Sequence, residues 1–360
     1  MRKGFVFKLH SITGLISGLF ILLLSLSGSV LVFHDELDNL QLPKISTVDN
    51  APMLSTDSCY RKIQQEYPDA LISSCDIPQN NSSAFEFTIY DLGYNQGTEP
   101  LQVFLHPQTA EIIKTRGGSE DMQSNFMSWL AAFHNSFHLH KKGELLLGIF
   151  GIAFLISIIT GTILYRKSIM AVLSFRKKIY KWGNLHQVIG VYALLFNLMI
   201  AFTGSWMQRY VFKKEFFTSS AFIPEVKASP LLSFSMTNAF DSIKKQYPEF
   251  SGYVIYFAQS NKGSTAVYGS NASNSFIHSK KFADVILLDS TGKVSNTRFV
   301  NEISSADRYD IINSQIHFGK YGGLPVKIIY SLLGLMSALL SITGALLWIK
   351  RKNAYQFTHG

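Results

Sequence analysis

Four histidines recur at matched distances from glycines at the ends of apolar segments. The opening pairs, 18 residues apart, are His10 with Gly28 and His186 with Gly204, and the closing pairs, 27 residues apart, are His134 with Gly161 and His317 with Gly344. Imidazole nitrogen is the commonest protein ligand for metal ions. A duplicated register of histidines at the ends of apolar helices therefore predicts paired metal ligands within a membrane.

The apolar segments must be the elements that position these histidines. About 20 apolar residues span a bilayer as a helix, and four stretches qualify, at residues 11–33, 144–165, 187–207 and 324–349. The first is too long for a signal-peptide core, and no small-residue cleavage site of the usual kind ends it. All four are therefore predicted to be retained transmembrane helices.

Basic residues predict how the chain is oriented. The N-terminus, the segment between the second and third spans, and the C-terminal tail hold 12 of the 33 basic residues and no acidic residue. Such segments face the cytoplasm, so both termini are predicted to be inside and residues 36–142 and 208–322 outside. The net charge of +9 is then a signal of topology, and no nucleic-acid partner is expected.

The outer segments also resemble each other. IQQEYPDA (63–70) corresponds to IKKQYPEF (243–250), and VFLHPQTAEII (103–113) corresponds to VILLDSTGKVS (285–295). A short helix ending in Tyr-Pro and followed by alternating strands predicts a small α+β domain in each half. The fold class is thus an α+β membrane protein with four transmembrane helices in two parallel repeats, related by a pseudo-twofold axis along the membrane normal.

This organisation divides the chain into eight segments. They are the first transmembrane helix (1–35), a periplasmic domain (36–122), the second helix with a periplasmic extension (123–166), a cytoplasmic linker (167–185), the third helix (186–210), a second periplasmic domain (211–312), the fourth helix (313–350) and a cytoplasmic tail (351–360).

Helix length determines which histidines can share a metal ion. At about 1.5 Å per residue, His10 and His186 lie near the cytoplasmic face, and His134 and His317 lie on the periplasmic side. Two same-side pairs follow, and haem iron suits each, since two imidazoles fill both axial positions and favour electron transfer. His138 lies one turn from His134 and is the alternate ligand, but only His134 shares the 27-residue spacing of His317.

The other histidines are weaker candidates. His34 and His140 lie near the same surface, whereas three more are expected to be solvated, namely His106, His278 and His359. The alternative for every histidine is an interfacial ring that binds nothing.

Small residues and basic residues would complete a haem site. Gly14 and Gly18 follow His10 on one helix face, and Gly190 follows His186; such positions leave room for a macrocycle or simply allow close helix packing. Haem propionates would need basic neighbours, for which the candidates are Lys8 and Lys181 inside and Lys141, Lys142 and Lys320 outside. The alternative role of these lysines is interfacial anchoring.

The two cysteines, Cys59 and Cys75, both fall in the first outer segment. An oxidising compartment allows such a pair to form a disulfide, which would stabilise a loop of about 16 residues by roughly 3 kcal/mol. A disulfide is the prediction, and two unpaired thiols are the alternative. Zinc and c-type haem spacings are absent.

These motifs resemble a known family. The outer segments resemble PepSY domains, and LHSITG, LHQVIG, the Thr-Gly closings and IHFGKYGGLP resemble the PepSY-associated transmembrane family, over residues 5–352. That family includes iron-regulated inner-membrane proteins and ferric-siderophore reductases of Gram-negative bacteria. The resemblance implies a haem b-containing oxidoreductase of the inner membrane that reduces ferric siderophores in the periplasm. The two histidine pairs predict two haems per chain.

Two other functions remain open. The outer domains could bind peptides or restrain a protease, with the spans as anchors, or the protein could be a permease for a siderophore or iron. The sequence has no GxGxxG or GxxxxGK[ST] motif, so no flavin, nicotinamide or nucleotide domain is indicated. Electrons would then come from quinol or from a cytoplasmic reductase. A permease is disfavoured because the spans carry almost no ionisable side chain.

Overall fold

The computed structural model describes residues 3–42, 44–46, 51–176, 181–218, 229, 232–259, 263–271, 277 and 279–359. The chain forms two compact units. The helical unit comprises Met1–His34, Leu130–Ser219 and Asn313–Gly360, and the sheet unit comprises Asp35–Trp129 and Ser220–Ile312. Each unit is thus assembled from distant parts of the chain.

The elements alternate between long apolar helices and groups of short strands. The helices are α1 (Lys3–Leu31), α2 (His34–Asn39), α3 (Thr56–Glu66), α4 (Phe126–Ser136), α5 (His140–Leu173), α6 (Trp182–Tyr192), α7 (Leu194–Met207), α8 (Lys214–Thr218), α9 (Met236–Gln246), α10 (Ser305–Phe318) and α11 (Gly323–His359). The strands are β1 (Leu71–Asp76), β2 (Phe85–Tyr90), β3 (Leu101–Leu105), β4 (Ile112–Arg116), β5 (Phe250–Tyr256), β6 (Thr265–Asn271), β7 (Asp284–Leu288) and β8 (Val294–Arg298). Short 3₁₀ turns lie at Asn95–Gly97 and Gln208–Phe212.

Three of the helices are long and apolar enough to cross a membrane, namely α1, α5 and α11. The predicted third span is broken: α6 and the helix that follows it, through Phe212, meet at an angle of 65°. Ala193 lies at the break with φ −85° and ψ −1°, far from the helical ψ of about −42°. The predicted third span, residues 187–207, therefore lies in a bent pair of helices, and no sequence signal such as proline marks the bend.

The helical unit buries little of its apolar surface. Leu19, Leu195 and Leu332 are 62%, 79% and 58% exposed, as expected for side chains that face lipid. Between helices, glycines allow close approach: a Cβ on Gly334 would clash with Ser29 Oγ, and one on Gly151 would meet Ser205 Oγ at 2.7 Å. These contacts join α11 to α1 and α5 to α7, in the manner of small-residue packing in membranes.

The sheet unit contains one antiparallel sheet in the order β4-β3-β2-β1-β5-β6-β7-β8. The sequence predicts a separate small domain in each half, but β1 pairs directly with β5, with Cys75 opposite Ile255. The strands of both halves therefore share one sheet. Alternation in β2 buries Phe85, Phe87 and Ile89 in a core to which α3 and α9 also contribute.

Helices α3 and α9 of the sheet unit have matching ends. Ser55 and Ser235 cap α3 and α9 at their N-termini through their hydroxyls. Tyr67 and Tyr247, each followed by proline, end the helices, as the repeated Tyr-Pro predicts. Asp57 links the two helices, because its carboxylate accepts hydrogen bonds from the backbone N–H groups of Met236 (2.7 Å) and Thr237 (3.0 Å).

The structure does not contain the predicted disulfide. Cys59 and Cys75 are free thiols, and both are fully buried within the same apolar core. Burial raises the pKa of Cys59 to about 12. Each cysteine therefore occupies its position as a small apolar side chain, and packing rather than a cross-link accounts for its location.

Candidate functional site

Each of the four spaced histidines packs its ring against a glycine on another helix. If a Cβ were added to the glycine, it would lie within 2.9–3.5 Å of the imidazole Cε1 atom in every case. The contacts are His10 on Gly161, His134 on Gly28, His317 on Gly204 and His186 on Gly344. The sequence spacing connects His10 with Gly28 and His134 with Gly161. In the structure the partners are exchanged, because His10 packs on Gly161 and His134 packs on Gly28.

The residue before each glycine is Ser or Thr, and it contacts the same histidine. Ser27 Oγ lies 2.8 Å from His134 Nδ1. Thr203 Oγ1 lies 2.9 Å from His317 Nδ1, and Thr343 Oγ1 lies 2.9 Å from His186 Nδ1. At the fourth site Thr160 Oγ1 is 3.4 Å from His10 Nδ1, and the closer partner is the carbonyl oxygen of Ser157 at 2.9 Å.

The hydroxyl groups determine which ring nitrogen carries the proton. Thr203 donates its own proton to the carbonyl oxygen of Met199 (2.8 Å), and Thr343 donates to that of Leu339 (2.9 Å). Ser27 does the same to Leu23 (2.9 Å). Since each hydroxyl proton is used in this way, the oxygen must accept a hydrogen bond from Nδ1–H.

The consequence is that Nε2 of each imidazole carries the lone pair. At His10 the acceptor is a carbonyl oxygen, so Nδ1 donates there as well. Among the described residues, none donates a hydrogen bond to these four Nε2 atoms. Metal-binding histidines almost always donate their second N–H in this way, which fixes the ring and its tautomer.

His10 and His186 form the first pair. Their ring centroids are 6.5 Å apart, with an angle of 67° between the ring planes. Metal–imidazole bonds are about 2 Å long, so two imidazoles on opposite sides of one metal ion have centroids roughly 6 Å apart. The observed separation fits this arrangement.

His134 on α4 and His317 on α10, the second predicted pair, lie outside the long apolar helices. Burial lowers the pKa of His134 to about 3, and repulsion from His317 contributes to this decrease. Burial likewise lowers the pKa of His317 to about 4. Both rings are therefore neutral at pH 7, which is the form that binds a metal ion.

A cleft adjoins the first pair. It contains about 1260 Å³ of empty space, part of it open to the surroundings, and its lining comes from α1, α5, α6, α7 and α11. Its lining includes His10, His186 and five glycines of the predicted small-residue faces and closings, namely Gly14, Gly18, Gly161, Gly190 and Gly344.

The basic residue at this cleft differs from those predicted. Arg351 lines the cleft, whereas Lys8 and Lys181 are described residues that are not part of its lining. On the other side, Lys141 donates a hydrogen bond to the carbonyl oxygen of Phe216 (3.0 Å). Lys320 follows α10, and its backbone N–H bonds to Gln315.

The remaining histidines lie elsewhere. His138 lies in the turn after α4 with φ 55°, and its ring contacts Phe133 rather than a glycine. His34 and His140 begin α2 and α5. His106, predicted to be solvated, is buried in the β3–β4 turn, where its Nε2 donates a hydrogen bond to the carbonyl oxygen of Ser46 (3.0 Å). His278 and the side chain of His359 lie outside the described residues.

The chemistry of these donors fits an axially ligated cofactor. Across the described part of the chain, no three or more His, Cys, Asp or Glu side chains are grouped as a metal site. Two imidazoles alone do not fill the coordination sphere of a metal ion, so a metal ion held between them would take its other ligands from a cofactor. A porphyrin iron, which needs two axial ligands, meets this requirement.

Sequence reasoning identified the four histidines but missed the hydroxyl residues and Arg351. A signal for the former was present, since Ser or Thr precedes all four glycines. The signal for Arg351 was weak, because it lies among three consecutive basic residues.

The three long apolar helices, with the bent pair as a fourth element, define a multi-pass membrane protein. The family described as the PepSY-associated TM region matches residues 7–351, and the chain belongs to this family. No curated protein sequence matches the chain significantly.

Proposed function

We propose that this protein is a haem b-containing reductase of the bacterial inner membrane that passes electrons across the membrane to ferric iron held by a siderophore in the periplasm. The observation that carries the proposal is the common geometry of four imidazoles. Each has its Nδ1 bonded to a hydroxyl or carbonyl oxygen, which leaves Nε2 for a metal ion.

One haem b would lie between His10 and His186 and a second between His134 and His317. The bound haem would supply one-electron redox chemistry at each pair. The two imidazoles of each pair would hold the haem iron, and they would exclude water, oxygen and substrate from direct contact with it. The glycines and hydroxyl residues hold the rings in one orientation, which limits rearrangement when the charge changes.

The distance between the pairs supports passage across the membrane. On α1, His10 and Gly28, where the ring of His134 packs, are 18 residues apart. This corresponds to about 27 Å along the helix axis, close to the bilayer core of about 30 Å. Between these two positions Phe20 of α1 stacks on Phe150 of α5, with 3.6 Å between the ring centroids.

The proposal also includes the arrangement in the membrane. The two halves are parallel repeats with cytoplasmic termini, and the matching His–glycine contacts of the two halves support this. The His10 and His186 pair then lies on the cytoplasmic side and receives electrons from quinol or a cytoplasmic reductase. The His134 and His317 pair lies on the periplasmic side and delivers them.

The substrate follows from the family resemblance. Siderophores bind Fe(III) through hard oxygen ligands, and one electron converts it to Fe(II), which those ligands bind less tightly. The iron is then released. The sheet unit, with both outer segments in one continuous sheet, would provide the docking surface for the complex.

Visible spectroscopy of the detergent-purified protein tests the haem assignment. A reduced-minus-oxidised spectrum of b type is expected, and His10→Ala or His186→Ala should remove only the inner haem. His317→Ala should remove only the outer haem. His34→Ala is the control and should keep both. A protein that is colourless after expression in haem-replete cells would contradict the proposal and favour a peptide-binding role.

The reductase activity needs a separate test. In proteoliposomes supplied with a reductant on the cytoplasmic side, the wild-type protein should produce Fe(II) from an external ferric siderophore, detected with a ferrous chelator. His317→Ala should abolish the signal. Haem-replete protein that produces no Fe(II) from several siderophore classes would contradict the assigned substrate.

A further inference from the structure

Three consecutive basic residues of α11 have different surroundings. Lys350 Nζ lies 5.9 Å from the ring centroid of Trp182, and Lys352 Nζ lies 5.5 Å from that of Trp348. Arg351 instead places its guanidinium carbon 4.4 Å from the ring centroid of Phe7. Of the three, only Arg351 lines the cleft of His10 and His186.

Helix geometry places Arg351 at the same end of the cleft as both histidines. Arg351 is seven residues beyond Gly344, the glycine on which His186 packs. Seven residues are two turns, or about 10 Å along one helix face. Phe7, beneath the guanidinium, precedes His10 by one turn of α1 and lines the cleft too.

The charge distribution of the cleft is one-sided. Its lining contains glycines, apolar side chains and several hydroxyl groups, and Arg351 is the one Asp, Glu, Lys or Arg among the lining residues. Arg351 is also exposed, so an anionic group can reach its guanidinium from outside the cleft. A ligand that suits this lining has an apolar body and an anionic end.

We propose that Arg351 binds the carboxylate groups of the cofactor that is held between His10 and His186, and so sets the direction in which that cofactor enters the cleft. This inference rests on the proposed function. The guanidinium fork bonds carboxylates in a bidentate manner, and it does so with a geometry that lysine lacks. Arg351 is thus a binding residue for the cofactor periphery.

The test uses the full-length protein with His317→Ala in the background, so that only the inner pair binds haem. Transfer of haem to an excess of apomyoglobin gives the dissociation rate. Arg351→Ala should speed dissociation by about tenfold to a hundredfold, the range for a lost hydrogen bond to a charged group. Arg351→Lys should have an intermediate effect, and Lys350→Ala should match the background protein.

A second ligand separates carboxylate binding from a general effect on the helix. The dimethyl ester of iron protoporphyrin IX lacks free carboxylates, so Arg351→Ala and the background protein should release it at equal rates. A difference that persists with the ester, or an effect equal to that of Lys350→Ala, would overturn the assignment and indicate an anchor for lipid phosphates. A background protein that binds neither porphyrin would instead refute the proposed function itself.

Discussion

The imidazole of His134 lies directly against Gly28, where an added Cβ would come within 3.1 Å of its Cε1. This contact is tighter than nearly all natural Cβ contacts, so the ring fits because residue 28 has no side chain. The glycine therefore makes room for an imidazole from another helix. Its hydroxyl neighbour Ser27 then holds the Nδ1 of the same ring.

Gly28→Ala should displace the His134 ring and remove the outer haem, while the inner haem stays bound. Haem content and the b-type spectrum measure the result. Gly4→Ala is a matched control on the same helix, since no atom lies within 4 Å of its added Cβ. Full haem content in Gly28→Ala would show that the contact does not position a ligand.

Thr343→Val retains the shape of the side chain but removes the oxygen that accepts the hydrogen bond of His186 Nδ1. Loss of such a partner typically weakens metal binding by about 10–100-fold, so the inner haem should dissociate correspondingly faster. Thr13→Val is the control, because the Thr13 hydroxyl bonds only to backbone carbonyls of α1. Equal dissociation rates for the two variants would contradict the tautomer argument.

Asp57→Ala should destabilise the sheet unit by about 1–3 kcal/mol, because the first turn of α9 loses its acceptor. Faster amide hydrogen exchange at Met236 and Thr237 would report the loss at the site itself. Asp241→Ala, an exposed position on α9, should have little effect. Unchanged exchange at both amides would show that Asp57 does not cap α9.

The same carboxylate predicts a pH dependence. Burial acts to raise the pKa of Asp57, but hydrogen bonds from Thr237, Met236 and Ser235 outweigh it and lower the pKa below its ordinary value of 3.8. Stability from the carboxylate is therefore present above that value and is lost as the pH falls through the folded-state pKa. The difference in unfolding free energy between wild type and Asp57→Ala should shrink as the pH is lowered through this range.

Cys59 and Cys75 should resist thiol reagents in the native protein, since both are fully buried and burial raises the pKa of both thiols. Under denaturing, non-reducing conditions a maleimide should label both cysteines, as counted by mass spectrometry. Labelling of neither cysteine until a reductant is added would show that the disulfide predicted from the sequence forms after all.

Much of the fold was accessible from local sequence patterns. Apolar length identified the regions of the membrane helices, and the repeated Tyr-Pro located the ends of α3 and α9. The bend at Ala193 and the pairing of β1 with β5 were missed. Neither has a local signal, because both depend on how segments far apart in sequence pack together.

The sequence by itself determined which residues could do the chemistry, since the duplicated register marks His10, His134, His186 and His317 by type and spacing alone. Only the tertiary structure decided which glycine and hydroxyl each ring contacts, and which basic residue faces the cleft. The physical reason is that a helix determines the direction of its own side chains, whereas the partner of each side chain depends on how neighbouring helices pack.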